Sequence, residues 1–387
     1  MSILAGKHIC IAGAGIGGTC LAVALEKACK DSSISPLPKI ELFERDASSS
    51  ARQGVGYSFN LRDHQDTGSG GLKVLKDLEL GIFEELAQCQ EPGNTMHLCL
   101  QNFKQPLIQV ARAPGEDPRA QELMRISRSQ LRQTLLYRVT SGIHWGKVCT
   151  SAVPAAKPGG HVQLGFSDGS AVNCDLLVVA DGTRSKLRAC LLPRETNSYA
   201  GICMLMGRTE QLKELPPELL KGQYLAMGQR GVALFMCSVE KTTAMWSLSW
   251  KAPESTSAEL NAIFQDPSAA QEYLTHEVQE LAKGFPEPLP SLLHATKATS
   301  MVSYPCMDKL PHPNHDNGVV YLGDAWHPMS PFSGSGANMA LVDAWELAQQ
   351  LVTGRHTCIQ EAIDAYATHA APRARGEQDL WWSAWRK

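Results

Sequence analysis

The sequence predicts an α/β fold in which a parallel sheet flanked by helices is interrupted by a second layer of β-sheet plus helices and closed by a C-terminal helix. Three observations predict it. A short apolar stretch at 8–12 runs into glycines and then into helical spacing. A continuous apolar run at 176–180 has the composition of a strand buried on both faces, as parallel sheets require. Between about 200 and 290 the character changes, and stretches such as 232–239 and 244–250 suggest antiparallel strands.

Over 19–30, Leu21, Ala24, Leu25 and Ala28 recur at helical spacing. A polar loop with prolines at 31–38 leads to a second apolar strand, 39–43, ending at Glu44 and completing one βαβ unit. The glycine-rich stretch 54–71 precedes a helix over 72–78, and 129–139 forms another. In the inserted layer the helical patterns lie at 257–264 and 269–282. Residues 318–323 return to the parallel pattern, and 337–351 is a strongly apolar helix. The nucleotide-binding unit is therefore discontinuous, covering 1–195 and 300–356, with a substrate layer at 196–299 to which part of 55–125 is also open. Residues 357–387 make a C-terminal helix, kinked or broken near Pro372, with an aromatic cluster at Trp381, Trp382 and Trp385.

At 387 residues the chain can enclose a sizeable ligand. Its formal net charge is only -3 with both signs intermixed, so no basic face points to nucleic acid or anionic lipid. The twelve cysteines form no CxxC pair and no metal-ligand spacing, which reads as reduced thiols in a cytoplasmic protein. The N-terminus lacks a secretory pattern, and no apolar run approaches the roughly 20 residues of an integral membrane segment. A small molecule is the expected partner, handled by a monomer or weak dimer.

Gly13, Gly15 and Gly18 form GxGxxG between a strand and a helix, the context that makes this motif a dinucleotide-binding, Rossmann-like turn. Gly13 permits the tight turn, Gly15 lets main-chain amides approach a diphosphate, and Gly18 lets the helix pack on the strand. Glu44, followed by Arg45, ends the next strand, where a carboxylate accepts from ribose hydroxyls and repels a 2′-phosphate. The alternative, a glycine-rich turn beside a solvated glutamate, does not account for the position. Asp181 and Gly182 follow the buried strand and can anchor the loop beneath a dinucleotide. In the stretch from Gly323, Asp324 is placed for a ribityl hydroxyl, and after Pro331 the amides of Gly334, Gly336, Ala337 and Asn338 offer donors to a flavin carbonyl.

The ordered set GAGIGG, ADGTRSKLR and GDAWHPMSPFSGSGAN, spread over nearly the full length, resembles the class A FAD-dependent monooxygenases, the para-hydroxybenzoate hydroxylase-like group. The stretches YSFNL, RISRSQLR and PFSGSGANMALVDA are most similar to its tetracycline-inactivating and secondary-metabolite branch, although that family often has glutamine where Ser335 stands. The resemblance implies flavin roles for Asp181 and Asp324, and for Arg52, in an arginine-and-glycine segment with Gly54 and Gly56, and Arg128. It also implies a Rossmann-like FAD-binding domain of that type, with the inserted layer over the substrate.

The activity so implied is NAD(P)H-consuming oxygenation of an electron-rich aromatic or polycyclic molecule. FAD is the cofactor, NADPH or NADH the transient reductant and molecular oxygen the cosubstrate, with a C4a-hydroperoxyflavin as the reactive species. Arg52 gates or positions the flavin, while Asn60, Pro331 and Phe332 line the reacting face. A flavin oxidase or dehydrogenase on the same scaffold, and a non-catalytic flavin-binding sensor, are the competing readings. Three other signals have simpler accounts. His327 is read as a packing and hydrogen-bonding residue, Trp246 and Trp250 as core or pocket wall, and His312, His315 and Asp316 as a polar turn and not a metal site.

Overall fold

The computed structural model describes residues 2–51, 58–63, 70–89, 95–100, 106–110, 123–228, 230–313 and 317–385. β1 (His8–Ala12), α1 (Ile16–Asp31) and β2 (Lys39–Glu44) form the expected opening unit. β1 is central in a five-stranded, all-parallel sheet. β2 and then Gly142–Trp145 lie on one side, Leu176–Val179 and then Val319–Tyr321 on the other. Ile9, Ile11 and all four residues of Leu176–Val179 are sealed from solvent, which accounts for the unbroken apolar runs. α1 packs on the helix Gly336–Val352, where Leu341, Ala344, Leu347 and Leu351 recur at helical spacing and are buried.

A seven-stranded sheet forms the second layer. Its strand order is Val302–Asp308, Ser198–Arg208, Thr243–Lys251, Ala233–Glu240, Gly222–Met227, Thr95–Leu100 and Pro106–Val110. All pairings are antiparallel except that of Gly222–Met227 with Thr95–Leu100. The layer thus runs past residue 299, where the sequence reading ended it, to Asp308. Pro305 hid that strand. A proline cannot donate to a ladder, and this one is tolerated because its strand lies at the sheet edge.

Period-two alternation sends the two faces of this sheet to different environments. Cys203, Leu205, Leu234, Met236, Trp246 and Leu248 point to a core shared with the helices after residue 255. Met204, Met206, Phe235, Met245, Ser247 and Ser249 take the opposite face. Trp246 is therefore core, its indole nitrogen donating to Thr296 Oγ1 at 2.7 Å. Among the described residues two smaller sheets complete the β structure: Cys149–Val153, Val162–Phe166 and Ala171–Cys174, and the pair Ser58–Arg62 with Leu123–Ser127.

The last helix, Ile359–Trp385, continues through Pro372 instead of breaking there. Ala362, Ile363, Tyr366, Ala370 and Ala374 are buried along one face, and Arg373, next to the proline, is held by Asp343 and Glu346 of the preceding helix. This docking outweighs the roughly 3 kcal/mol that a proline costs inside a helix. None of the helices among the described residues is long and apolar enough to cross a membrane.

Candidate active site

The glycine turn is built by close contact. Gly13 has φ +109°, and a side chain there would put Cβ 2.5 Å from the Ala180 carbonyl oxygen. At Gly18 a Cβ would come 2.0 Å from the Gly13 oxygen, so only glycine lets α1 start this near the strand. Gly15 differs: a Cβ built on it meets nothing within 4 Å. Glu44 is buried beneath this turn, Oε2 accepting from the Ala14 amide at 2.8 Å and Oε1 from the Asp46 amide at 3.0 Å. Each oxygen keeps a second lone pair.

Arg132 completes that end. Its Nε donates to the Ala14 oxygen at 2.7 Å, its guanidinium lies 3.4 Å from Asp46 Oδ2, and it covers the Trp145 ring at 5.7 Å. It sits one turn after Arg128 on the helix Arg128–Leu136, which starts there because Ser127 Oγ caps the Gln130 amide at 3.2 Å. Both arginines line the same cavity.

Asp181 and Gly182 leave the end of the Leu176–Val179 strand. Asp181 Oδ2 accepts from the Lys186 amide at 2.9 Å, while Oδ1 is buried without a protein partner. Burial pushes this carboxyl above its ordinary range against the pull of Ser185 and of the Leu187 and Lys186 amides. Arg188 joins this loop to the one after Gly323. Its Nη1 donates to the Ala325 oxygen at 2.7 Å, and Nη2 to the Thr183 oxygen at 3.0 Å and to Asn197 Oδ1 at 2.7 Å. Thr183 Oγ1 in turn donates to Asp324 Oδ2 at 3.0 Å.

Beyond Asp324 the chain turns through Pro331, Phe332 and Gly334, the last at φ +61°, into the helix beginning at Gly336. Asn338 is buried and holds the strand Ser58–Arg62: Nδ2 donates to the Asn60 oxygen at 2.9 Å, and Oδ1 accepts from the Arg62 amide at 2.9 Å. Ser335 accepts from Arg62 Nη2 at 2.6 Å and donates to Glu377 of the C-terminal helix. His327, inside the motif, is buried against Asp343 and does not line the cavity that these loops surround.

These loops and the methionine face of the second layer surround one cavity of about 2100 Å³. That exceeds the roughly 300–1,000 Å³ of a single small-ligand pocket and suits a dinucleotide together with a second molecule. Of the residues expected at the site, Gly13, Gly15, Glu44, Arg45, Asn60, Arg128, Asp181, Gly182, Asp324, Pro331, Phe332, Gly334, Gly336 and Ala337 line it. Gly18 and Asn338 stand behind the wall. Arg52, with Gly54 and Gly56, lies outside the described residues.

The sequence profile of the FAD binding domain family matches residues 160–379. The chain belongs to that family. It is an FAD-dependent monooxygenase of class A. The monooxygenase cfoF of Aspergillus candidus is 28% identical over 96% of this chain and 88% of that protein. Among solved structures, Klebsiella pneumoniae HpxO complexed with FAD and uric acid superposes with a TM-score of 0.73 at 22% identity, over 96% of this chain and 86% of that one. The tetracycline destructase Tet(51) does so at 0.67 and 18%, over 96% and 88%.

The residues present in this monooxygenase fit FAD. The cradle above Gly15 is open, the buried Asp181 Oδ1 needs a donor, and the cavity runs without interruption from Arg45 to Phe332. Sequence reasoning missed Arg132, Arg188 and Gln223. Arg132 had a signal in its four-residue spacing from Arg128. Arg188 closes the ADGTRSKLR motif, where sequence gives it no partner, and Gln223 is one polar residue in a strand with no periodic signal of its own.

Proposed function

We propose that this monooxygenase uses NADPH or NADH to oxygenate an electron-rich aromatic or polycyclic molecule held against the methionine face of the second layer. The observation that carries this is the continuity of the cavity, which joins the glycine turn to Met204, Met206 and Met245. Bound FAD would supply electron transfer from the nicotinamide and activation of dioxygen. The chain supplies the rest. The Gly15 and Ile16 amides at the start of α1 cradle the diphosphate, the Gly13 and Ala14 amides being taken by the Phe43 oxygen and Glu44, and Glu44 with Arg45 receives the adenosine end. Asp324 holds the ribityl chain, with Asp181, Gly182 and Arg128 along its path. The Gly334 amide is taken by the Pro331 oxygen at 3.1 Å, so the Gly336 and Ala337 amides at the helix start offer donors at the pyrimidine end, where negative charge collects on reduction. Asn60, Pro331 and Phe332 line the reacting face. Thioether and aromatic walls exclude water and adapt to a flat apolar ligand.

A cytoplasmic location is supported by the twelve cysteines, all free. The experiment is a screen of NAD(P)H consumption against polycyclic phenols, indoles and tetracyclines under labelled dioxygen. A ligand that stimulates consumption and gains one labelled oxygen atom is the expected result. Substrate oxidised without NAD(P)H, or bound FAD that no ligand discharges, would refute the reading in favour of an oxidase or a sensor.

A further inference from the structure

Asn60 and Gln223 meet where the two layers join. Gln223 Nε2 donates to Asn60 Oδ1 at 2.7 Å, and both residues line the cavity. Neither is loosely placed. Gln223 is almost fully buried, on the strand Gly222–Met227 between its two paired neighbours. Asn60 is fixed through its main-chain oxygen by Asn338 Nδ2 at 2.9 Å. The couple therefore spans from the sheet over the substrate to the loop at the pyrimidine end of the cofactor site.

A carboxamide has two N–H donors and one oxygen acceptor. The bond between these two uses one hydrogen of Gln223 and one lone pair of Asn60. Among the described residues, Asn60 Nδ2 and Gln223 Oε1 have no other partner. Asn60 keeps both Nδ2 hydrogens and one Oδ1 lone pair, and Gln223 keeps one hydrogen and its whole Oε1, so the couple has donor and acceptor capacity left for a ligand. Exchanging oxygen and nitrogen in both amides preserves the mutual bond and swaps the roles, so the couple still presents donors and acceptors to a ligand. The wall on this sheet face carries Met96, Leu225, Phe235 and Met245, with Ser247 and Ser249 as its hydroxyls. In such a wall a ligand that leaves these atoms unmatched is rejected far more strongly than one of slightly wrong size.

We infer that Asn60 and Gln223 form a specificity-determining carboxamide couple that selects aromatic substrates bearing a hydrogen-bond donor next to an acceptor on one edge, as in a ring lactam or an enolised hydroxy-carbonyl. This deepens the proposed function and rests on its assignment of the methionine-lined half of the cavity to substrate. The couple reads the polar edge, and the thioethers accept whatever flat apolar body is attached. Because Asn60 is tied to Asn338, reading that edge also sets the ligand's orientation toward the cofactor.

The test uses the FAD-loaded protein without reductant, following the flavin absorbance change on titration with three probes of one shape. These are isoquinolin-1(2H)-one, its N-methyl derivative, and isocoumarin, in which ring oxygen replaces the N–H. The lactam is expected to bind about tenfold or more tighter than the other two. In Gln223→Leu and in the volume-matched Gln223→Met, that preference falls to within about threefold, with FAD content preserved. Equal binding of the three probes to the wild type, binding of none, or a preference that survives in both variants overturns the inference. Aromatic-stimulated NAD(P)H consumption alongside any of those results leaves the monooxygenase reading standing and removes only the couple.

Discussion

His327 Nε2 lies 2.7 Å from Asp343 Oδ2, and both side chains are sealed from solvent beneath the loop that follows Gly323. The same oxygen accepts from the Gly323 amide at 2.9 Å, and Arg373 Nη2 reaches the other at 2.8 Å. One carboxylate thus ties the start of the loop, its middle and the C-terminal helix. Burial alone would push this carboxyl up, but His327, Arg373 and the Gly323 amide together hold it below its ordinary range.

Replacing Asp343 by Asn leaves the Arg373 charge buried with only Glu346 to balance it. Asp343→Asn should lower unfolding free energy by about 3–5 kcal/mol, the cost of breaking a buried pair from one side. Urea unfolding checks this. A loss below about 1 kcal/mol would mean that the network has little energetic weight.

The glycine turn separates fold from binding. Gly13→Ala forces a left-handed residue into contact with the Ala180 carbonyl, so both melting temperature and FAD content should fall. Gly15→Ala meets no protein atom within 4 Å, so stability should hold while the methyl group intrudes on the diphosphate cradle. An approximately tenfold weaker FAD affinity at unchanged melting temperature is expected, read by flavin fluorescence titration.

Arg188 is the cross-brace between the loop that carries Asp181 and the loop after Gly323. Lysine cannot reproduce its fork to Ala325, Thr183 and Asn197. Arg188→Lys should therefore weaken FAD binding by about tenfold or more, since each lost charge-assisted bond is worth about 1.5–3 kcal/mol. Unchanged affinity by isothermal titration would show that the loops hold their places unaided.

Glu41 gives a pH dependence. Burial works to raise its carboxyl, yet Lys39, His144 and His8 draw it from 4.5 down to about 2. A depressed folded-state value stabilises the native protein above the ordinary value and is lost as pH falls through the folded one. Unfolding free energy should therefore decline from about pH 4.5 toward pH 2, and Glu41→Gln should flatten part of that slope. Chemical denaturation of both proteins across this window checks the difference.

Much of the cofactor half was legible because its chemistry is local. GAGIGG, the run at 176–180 and the segment after Gly323 each declare turn, strand or helix within a few residues, and each reaches the cavity, the run through Ala180. The second layer was only partly legible. Val302–Asp308 carries Pro305, and Thr95–Leu100 pairs with a strand over 120 positions away, so neither announces its partner. Gln223 illustrates the limit. An amide in a strand has no periodic signal of function, and its meaning comes from Asn60, brought to it by tertiary packing. Pro372 misled in the opposite direction, since helix-breaking propensity was overruled by the buried face around it.

Trp326 sits two residues beyond Asp324, buried between Tyr366 and His327 with its indole nitrogen fixed on the His312 oxygen at 2.9 Å. Indole emission overlaps flavin absorption, so an isoalloxazine settling nearby would drain that excited state. Capture and escape of the chromophore could then be timed by a dimming and recovering glow native to the polypeptide, with no dye attached.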